Sequence, residues 1–284
     1  MGAMVDSTQL SPGSYVGPAL TWLNVNYHGF FAAISAFFDL LISGLVAFLN
    51  LGSPPVVALI LAGAASLLAG WRLGILTALG FGWCILLGMW TDTMETLSLV
   101  LLAVLFSVIF GVVIGIVVSR SKSLEAGVKP VLDVMQTLPP WVYLVPAVIL
   151  FGLGTVPALL STIIFGIAPM VRLTVLALQQ VPSERRELGQ SIGSRPLQML
   201  IKIELPSALP TLLVGVNQTI LLSLAMVVLA GLVGAGGLGS EVTRGLSRLD
   251  FGLGLRASLS IVMLAIILDR VFRGAIPAKF TAVI

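Results

Sequence analysis

The sequence is poor in charged residues. Asp, Glu, Lys and Arg make up 10% of its 284 residues, whereas 58% are hydrophobic and the mean hydropathy is +1.11. Soluble domains carry about 25% charged residues, so a chain this poor in charge cannot cover a globular surface and is expected to lie largely in lipid. The net charge of +3 does not indicate a nucleic-acid partner, because the basic residues stand in short segments between apolar blocks.

Residues that build redox, metal or catalytic sites are also scarce. The chain has one cysteine, Cys84, and one histidine, His28, so no intramolecular disulfide is possible and a histidine-based metal site lacks partners. It has no G-x-x-x-x-G-K-[ST] phosphate loop. We therefore expect a protein that is not an enzyme and binds no cofactor of its own.

Apolar blocks of membrane-spanning length fill most of the chain. A helix needs about 17–25 residues to cross a hydrocarbon core of ~30 Å. Seven such blocks are present, at 54–70, 73–91, 96–119, 131–153, 156–179, 208–234 and 256–273. In the fourth block Pro139, Pro140 and Pro146 remove backbone donors and predict a bend. The sequence thus predicts an all-α integral membrane protein with about seven transmembrane helices.

Residues 20–50 show a different pattern, in which apolar side chains recur three and four positions apart between polar ones. We predict an amphipathic helix at the membrane surface here. A flexible tail (1–19) precedes it, and a transmembrane domain (51–284) follows. An eighth span with its polar residues turned inward is the alternative, although Asp39 would be costly at mid-bilayer.

The basic residues predict the orientation of the chain. With 180–206 in the cytoplasm, all of the 15 basic residues except Arg244, Arg248 and Arg256 fall on the inner side. Seven spans then place the N-terminus outside and the C-terminus in the cytoplasm.

The most polar stretch, 182–206, separates two apolar blocks. Pro182 ends one helix, and Ser183 is predicted to cap a short helix at 184–191 that leads to a turn at Gly193. Ser194 is predicted to cap a second helix, with Pro196 tolerated in its first turn. Leu197, Leu200, Ile201 and Leu205 form an apolar stripe on that second helix. The pattern predicts a helix–turn–helix elbow, which suits docking into a groove of a soluble partner. A loop resting on lipid headgroups is the alternative.

The run Gly234–Gly239 fits G-x-G-x-x-G, the pattern of dinucleotide-binding loops. Such a loop requires a preceding strand, whereas a long apolar helix is predicted here. We interpret the glycines as a helix cap and a turn at the membrane surface.

The elbow resembles a signature of the membrane subunits of binding-protein-dependent ABC importers: E-A-A, three residues, G, nine residues, I-x-L-P. The matching positions are Glu187, Leu188, Gly189, Gly193, Ile203, Leu205 and Pro206, with Leu188 and Gly189 in place of the two alanines. The resemblance implies that the elbow sits in a cleft of an ATPase subunit. Glu187 and Gly193 would shape it, and the residues from Gln190 to Pro196, including Ser194 and Arg195, would contact the ATPase.

Three further segments are similar to the glycine betaine/proline betaine branch of that family: "VLDVMQTLPPWVYLVP", "GVNQTILLSLAMVVLAGLVGAGGLG" and "RGLSRLDFGLGL". The resemblance covers roughly 54–272 and implies a five-helix type I importer core plus two helices, in a bacterial inner membrane. It implies a second copy of the chain, two ATPase subunits that hold ATP and Mg²⁺, and an extracytoplasmic binding protein. The chain would form the translocation path for a quaternary ammonium osmoprotectant.

Two further groups of residues are candidates for this function. Gln136, Trp141, Tyr143, Asn217 and Gln218 are candidate path residues, with helix packing and interhelical hydrogen bonding as the alternatives. Glu241, Arg244, Arg248 and Asp250 are candidates for docking the binding protein, or are solvated loop residues.

A stand-alone secondary transporter is the alternative function. Such a protein usually has ionisable residues at the midplane and an internal repeat. The sequence shows no clear repeat, and Asp133, Arg172 and Asp269 fall near predicted cytoplasmic ends.

The charge bias makes the orientation testable. An Arg195→Cys variant should react with a membrane-impermeant thiol reagent only from the cytoplasmic side, because the elbow is predicted to lie there. Labelling in intact cells, compared with inverted vesicles, measures this. Reaction from the outside would reverse the predicted topology.

Overall fold

A computed structural model describes residues 13–275, in which every regular element is helical. The helices are α1 (Gly13–Asn26), α2 (His28–Leu49), α3 (Pro54–Ala69), α4 (Trp71–Leu86), α5 (Trp90–Ser119), α6 (Lys122–Thr137), α7 (Leu144–Phe151), α8 (Thr155–Gln179), α9 (Ser183–Ser191), α10 (Pro196–Met199), α11 (Leu205–Ala230), α12 (Gly237–Ser247) and α13 (Phe251–Ala275). A π-helical turn at Leu200–Glu204 joins α10 to α11. The predicted all-α class is confirmed.

Five helical segments are long and apolar enough to cross a membrane: α2, α5, α8, Pro196–Val233 and α13. A bent pair, α6 with Pro140–Phe151, makes six if it counts as one span. Helices α3 and α4, predicted as spans, have 16 residues each. At 1.5 Å per residue they are about 24 Å long, shorter than the ~30 Å core. They are short because Gly70 and Gly88, with φ of +96° and +71°, end them.

The helix boundaries in the N-terminal part differ from the predicted ones. Helix α1 begins at Gly13, inside the segment predicted as a flexible tail, of which residues 1–12 lie outside the described residues. A tertiary contact holds α1, because Asn24 Nδ2 donates to the carbonyl of Ile149 at 2.7 Å. Helix α2 packs Phe38 edge-to-face on Phe106 of α5. It also has the length and hydropathy of a span, the alternative that the sequence left open.

The predicted bend lies at Pro139 and Pro140. The preceding residue, Leu138, has the extended backbone (ψ 135°) that a following proline favours, and the helix direction changes by 108° across the break. The Tyr143 hydroxyl donates to the Met135 carbonyl across the bend. The break is therefore stabilised internally, as non-helical backbone at membrane depth requires.

The centre of the bundle is the close contact between α5 and α8. A Cβ at Gly111 would lie 2.6 Å from Met170 Cβ, and one at Gly115 would lie 2.5 Å from Thr174 Cβ. Met170 and Thr174 are fully buried. This spacing of small residues is typical of helices that associate within membranes, because it lets the two backbones approach closely.

Gly115→Ala should lower the thermal midpoint of the detergent-solubilised protein. The new Cβ would also lie 3.0 Å from the Val171 carbonyl oxygen, which cannot move without the helix, and overpacking costs about 1–3 kcal/mol. Gly82→Ala in α4 is the matched control. The new Cβ at position 82 would meet nothing within 4 Å. Because alanine has a higher helix propensity than glycine, the free energy of unfolding should stay unchanged or rise by up to about 1 kcal/mol. Equal midpoints for the two variants would contradict the tight packing.

Candidate functional site

The predicted elbow is present between α8 and α11. Helix α9 spans Ser183–Ser191, a turn follows, and α10 with the π-helical turn leads into α11. Two details differ from the prediction. Pro182, not Ser183, is the N-cap of α9, and Arg195, not Ser194, is the N-cap of α10. The Arg195 backbone N–H donates to Gln198 Oε1 at 3.1 Å, which explains the later start of α10.

The turn of the elbow is a Schellman motif around Gly193. Gly193 has φ +70°. Its N–H donates to the Gln190 carbonyl at 2.9 Å, and the Ser194 N–H donates to the Gly189 carbonyl at 3.0 Å. These two bonds satisfy the last carbonyls of α9 and reverse the chain.

The two arms of the elbow pack against each other at Gly189. This glycine is buried, and a Cβ there would lie 2.5 Å from Ile203 Cδ1 and 2.6 Å from Met199 Cε. In the importer signature this position is an alanine. Here the larger neighbours Met199 and Ile203 occupy the space of the missing methyl group, so the elbow is one compact unit.

The outer surface of the elbow is apolar to an unusual degree. Leu188, Ile192, Leu197 and Ile201 are between 54% and 72% exposed. Of the predicted stripe, Leu200 and Leu205 are half-buried instead. Contiguous exposed apolar side chains with a polar rim are typical of a protein–protein docking surface.

The other candidate residues of the elbow vary in exposure. Glu187, Gln190, Arg195, Pro196 and Pro206 are exposed, whereas Ser194, Ile203 and Leu205 are half-buried.

The segment Gly189–Gly193 also fits G-x-S-x-G, the pattern of a catalytic serine at a strand-to-helix turn. Here Ser191 ends a helix, and its hydroxyl donates to the Leu188 carbonyl at 2.8 Å. The local structure is therefore that of a helix terminus and not of a nucleophile elbow.

Sequence reasoning missed the most buried charge of the elbow, Glu204. This residue is 3% exposed. Its Oε2 lies 2.6 Å from Arg120 Nη2, and its Oε1 lies 3.3 Å from Arg186 Nε. The only signal in the sequence is an acidic residue between Ile203 and Leu205, where the chain re-enters an apolar block.

The candidate path residues differ in their exposure and in the contacts they make. Gln136, Trp141 and Gln218 are exposed, and the Tyr143 ring packs on Phe165 at 5.8 Å between centroids. Asn217 faces α13, where its amide can donate to Asp269 Oδ1 at 3.1 Å and accept from Arg273 Nη2 at 3.2 Å. These contacts match the interhelical role that was the alternative for Asn217.

The candidate docking residues lie at the end of the bundle opposite the elbow. Some of them make contacts within the chain. Glu241 is buried, and its Oε1 lies 2.6 Å from Arg244 Nη1. Asp250 caps α13, because its Oδ1 accepts from the Leu253 N–H at 2.9 Å. Arg248 is exposed.

The glycine-rich run forms a turn between α11 and α12, as predicted. Gly234, Gly236 and Gly237 have φ between +65° and +77°. The N-terminus of α12 is filled by side chains of α5. Glu95 Oε2 accepts from the Gly237 N–H at 2.7 Å, and Thr96 Oγ1 accepts from the Leu238 N–H at 2.9 Å.

The family model of the binding-protein-dependent transport system inner membrane component matches residues 107–275, which include the elbow and the C-terminal part of α5. The chain belongs to this family. Individual relatives of this permease extend the similarity toward the N-terminus.

Three relatives carry names that state a solute. The chain is 42% identical over 258 residues to the glycine betaine/proline betaine permease ProW of Escherichia coli, covering 90% of this chain and 73% of ProW. It is 39% identical to the glycine betaine permease OpuAB of Bacillus subtilis, over 88% and 89% of the two chains. It is 42% identical to the glycine betaine/carnitine permease GbuB of Listeria monocytogenes, over 70% and 71%.

The fold of the permease is also found in a solved transporter. A chain of the methionine ABC transporter MetNI aligns with a TM-score of 0.58 at 23% identity, over 66% of this chain and 96% of that one. This likeness concerns the fold. Together with the family match it supports the importer interpretation over a stand-alone secondary transporter.

Gly193→Val should loosen the turn of the elbow. A β-branched residue in the left-handed region costs about 1–2 kcal/mol, so amides 189–199 should exchange roughly 5- to 30-fold faster with deuterium. Gly193→Asn is the matched control, since asparagine tolerates this conformation. Hydrogen exchange with mass spectrometry measures both variants. Unchanged protection in Gly193→Val would show that the turn does not need a left-handed residue.

Proposed function

We propose that this chain is the permease subunit of an ATP-driven importer of quaternary ammonium osmoprotectants. Two copies form the translocation path, and two ATPase subunits bind the elbows. An extracytoplasmic binding protein delivers the solute. ATP and Mg²⁺ belong to the ATPase subunits, so this chain performs no chemistry and provides the path and the mechanical connection to it.

The observation that carries the proposal is the elbow. Its four exposed apolar side chains, Leu188, Ile192, Leu197 and Ile201, surround a fixed turn. A short helix with an apolar face docks into a hydrophobic groove by a common mode of recognition. Closure of the ATPase dimer would then move each elbow as a unit, and the bundle would change its access by rigid-body gating.

The proposed solute class comes from the relatives. Their names state glycine betaine, proline betaine and carnitine. These solutes share a quaternary ammonium group and a carboxylate. Aromatic faces attract such cations, with about 0.5–2 kcal/mol for each contact.

Of the two aromatic candidates for the path, Trp141 is the more accessible to a solute. It is 54% exposed at the bend between α6 and α7. The ring and hydroxyl of Tyr143 are engaged by Phe165 and Met135. Gln136 and Gln218 are exposed polar candidates for the remaining lining, which a second copy of the chain would complete.

We further propose that the chain lies in a bacterial inner membrane with the elbow in the cytoplasm. The binding protein would then approach the opposite end, where Arg244 and Arg248 are exposed. The positive-inside distribution of Lys and Arg supports this orientation.

The test is uptake of labelled glycine betaine into liposomes that contain this chain with its ATPase and binding protein. We expect accumulation that requires ATP and that unlabelled proline betaine or carnitine competes away. Liposomes without ATP are the control. ATPase activity that the binding protein stimulates, without uptake, would exclude this solute but keep the importer. Neither signal from an assembled complex would contradict the proposed function.

A further inference from the structure

One carboxylate holds three parts of the protein together at the elbow. Glu204 ends the π-helical turn before α11, Arg120 follows the last residue of α5, and Arg186 lies in α9. Both Glu204 oxygens face Arg120, at 2.6 Å (Oε2 to Nη2) and 3.4 Å (Oε1 to Nη1), the paired geometry in which guanidinium–carboxylate contacts are strongest. Arg186 reaches the same carboxylate and also donates to the Leu178 carbonyl at the end of α8.

The burial of the three groups is unequal. The Glu204 side chain is 4% exposed, whereas those of Arg120 and Arg186 are 48% and 38% exposed. The arginines line a polar cavity of about 280 Å³ beside Ser119 and Gln179. The carboxylate is thus the fixed centre, and the arginines have room to move around it.

The contact between Glu204 and Arg120 connects the elbow to a helix that is distant from it in the chain. Helices α8 and α11 are continuous with the elbow through the chain, so they follow its movement. Helix α5 is separated from the elbow by the whole of α6, α7 and α8, and Arg120 is 84 residues from Glu204. Movement of the elbow therefore reaches α5 through two non-covalent contacts, the packing of α5 on α8 and the pair between Glu204 and Arg120 at its end.

The elbow is packed tightly enough to move as one rigid unit that includes Glu204. At Gly189, α9 packs closely against the side chains of Met199 and Ile203. Glu204 directly follows Ile203, so a displacement of the apolar surface displaces the carboxylate as well. π-Helical turns in otherwise α-helical segments occur often at functional sites, which fits the placement of Glu204 in one.

Helix α5 has a second polar contact at its other end. Glu95 and Thr96 accept the first N–H groups of α12. The 25 residues between Glu95 and Arg120 span about 37 Å at 1.5 Å per residue. Between them, α5 packs tightly on α8, so it can carry a displacement from one end to the other.

We propose that Glu204 is a positioning residue that couples the elbow to α5 through Arg120, with α5 carrying the movement to α12. This inference rests on the proposed function, in which ATPase subunits move the elbow. Glu204 contacts neither solute nor nucleotide in this arrangement. It sets how much of the movement of the elbow reaches the transmembrane helices.

The test is Glu204→Gln in the complete complex with ATPase and binding protein in liposomes. The isosteric amide keeps the shape and removes the charge that holds both arginines. We expect assembly and basal ATP hydrolysis to persist, while solute taken up per ATP hydrolysed falls about tenfold, within the usual range for coupling between sites. Glu184→Gln is the matched control, an exposed glutamate in the first turn of α9, and should leave this ratio unchanged.

A distance measurement separates coupling from a general loss of structure. Spin labels on Ser183→Cys, outside the predicted ATPase contact, and on Val117→Cys report the separation of the elbow and α5 by pulsed electron paramagnetic resonance. Both residues are exposed, and the fully buried Cys84 should stay unlabelled. We expect the separation in the otherwise wild-type protein to be equal in the ATP-free and vanadate-trapped states. It should change on trapping in Glu204→Gln.

Where Glu204→Gln does not assemble, Arg120→Lys takes its place, because lysine keeps the charge but cannot form the paired contact. A variant with the wild-type ratio of uptake to ATP hydrolysis would overturn the inference. An elbow–α5 separation that stays constant on trapping in the variant would also overturn it. Absence of ATP-driven uptake by the wild-type complex would contradict the proposed function instead.

Discussion

The close approach of α5 to α8 is the constraint on which the rest of this structure depends. In lipid, helices gain no hydrophobic free energy by associating, so small residues that permit close packing decide where they meet. Gly111 and Gly115 supply that contact. It brings the ends of α5 and α8 to the same side of the bundle, and Arg120 can therefore reach a carboxylate that lies beyond α8 in the chain.

The elbow inverts the usual distribution of polar and apolar side chains. Leu188, Ile192 and Leu197 are more than 60% exposed, whereas Glu204 is 3% exposed. A free-standing domain would bury the former and expose the latter. The inversion is consistent with two separate tasks, because an exposed apolar surface can bind a partner and a buried carboxylate with two arginine partners can fix the geometry beneath it. Removing an arginine would leave the buried Glu204 carboxylate with one partner fewer, so the arrangement favours keeping both contacts.

Much of this fold follows from the sequence, and the differences have identifiable causes. The apolar blocks all became helices, and the elbow turned at Gly193 because a left-handed residue was required there. Residues 92–95 lay between two predicted spans, but they belong to α5. The Thr93 hydroxyl donates a hydrogen bond to the Met89 carbonyl at 2.6 Å, so this polar group is satisfied locally by the helix backbone. The role of Glu204 could not be predicted from the sequence. Periodicity identifies residues that are neighbours along one helix, whereas its partner Arg120 is 84 residues away.

The glycine-rich run shows what a short motif does and does not determine. Its G-x-G-x-x-G pattern does build a turn whose N–H groups open a helix, and one of them, the Gly237 N–H, does bind an anion. The anion is the carboxylate of Glu95, supplied by α5 of the same chain. The backbone requirement is the same as in a phosphate-binding loop, so the motif identifies the geometry and not the ligand. Because α5 provides a carboxylate to α12 at one end and a guanidinium to Glu204 at the other, both of its ends are tied by directional contacts. The close packing of Gly111 and Gly115 on α8 sets the register of the helix, and the two polar contacts connect its ends to the elbow and to α12.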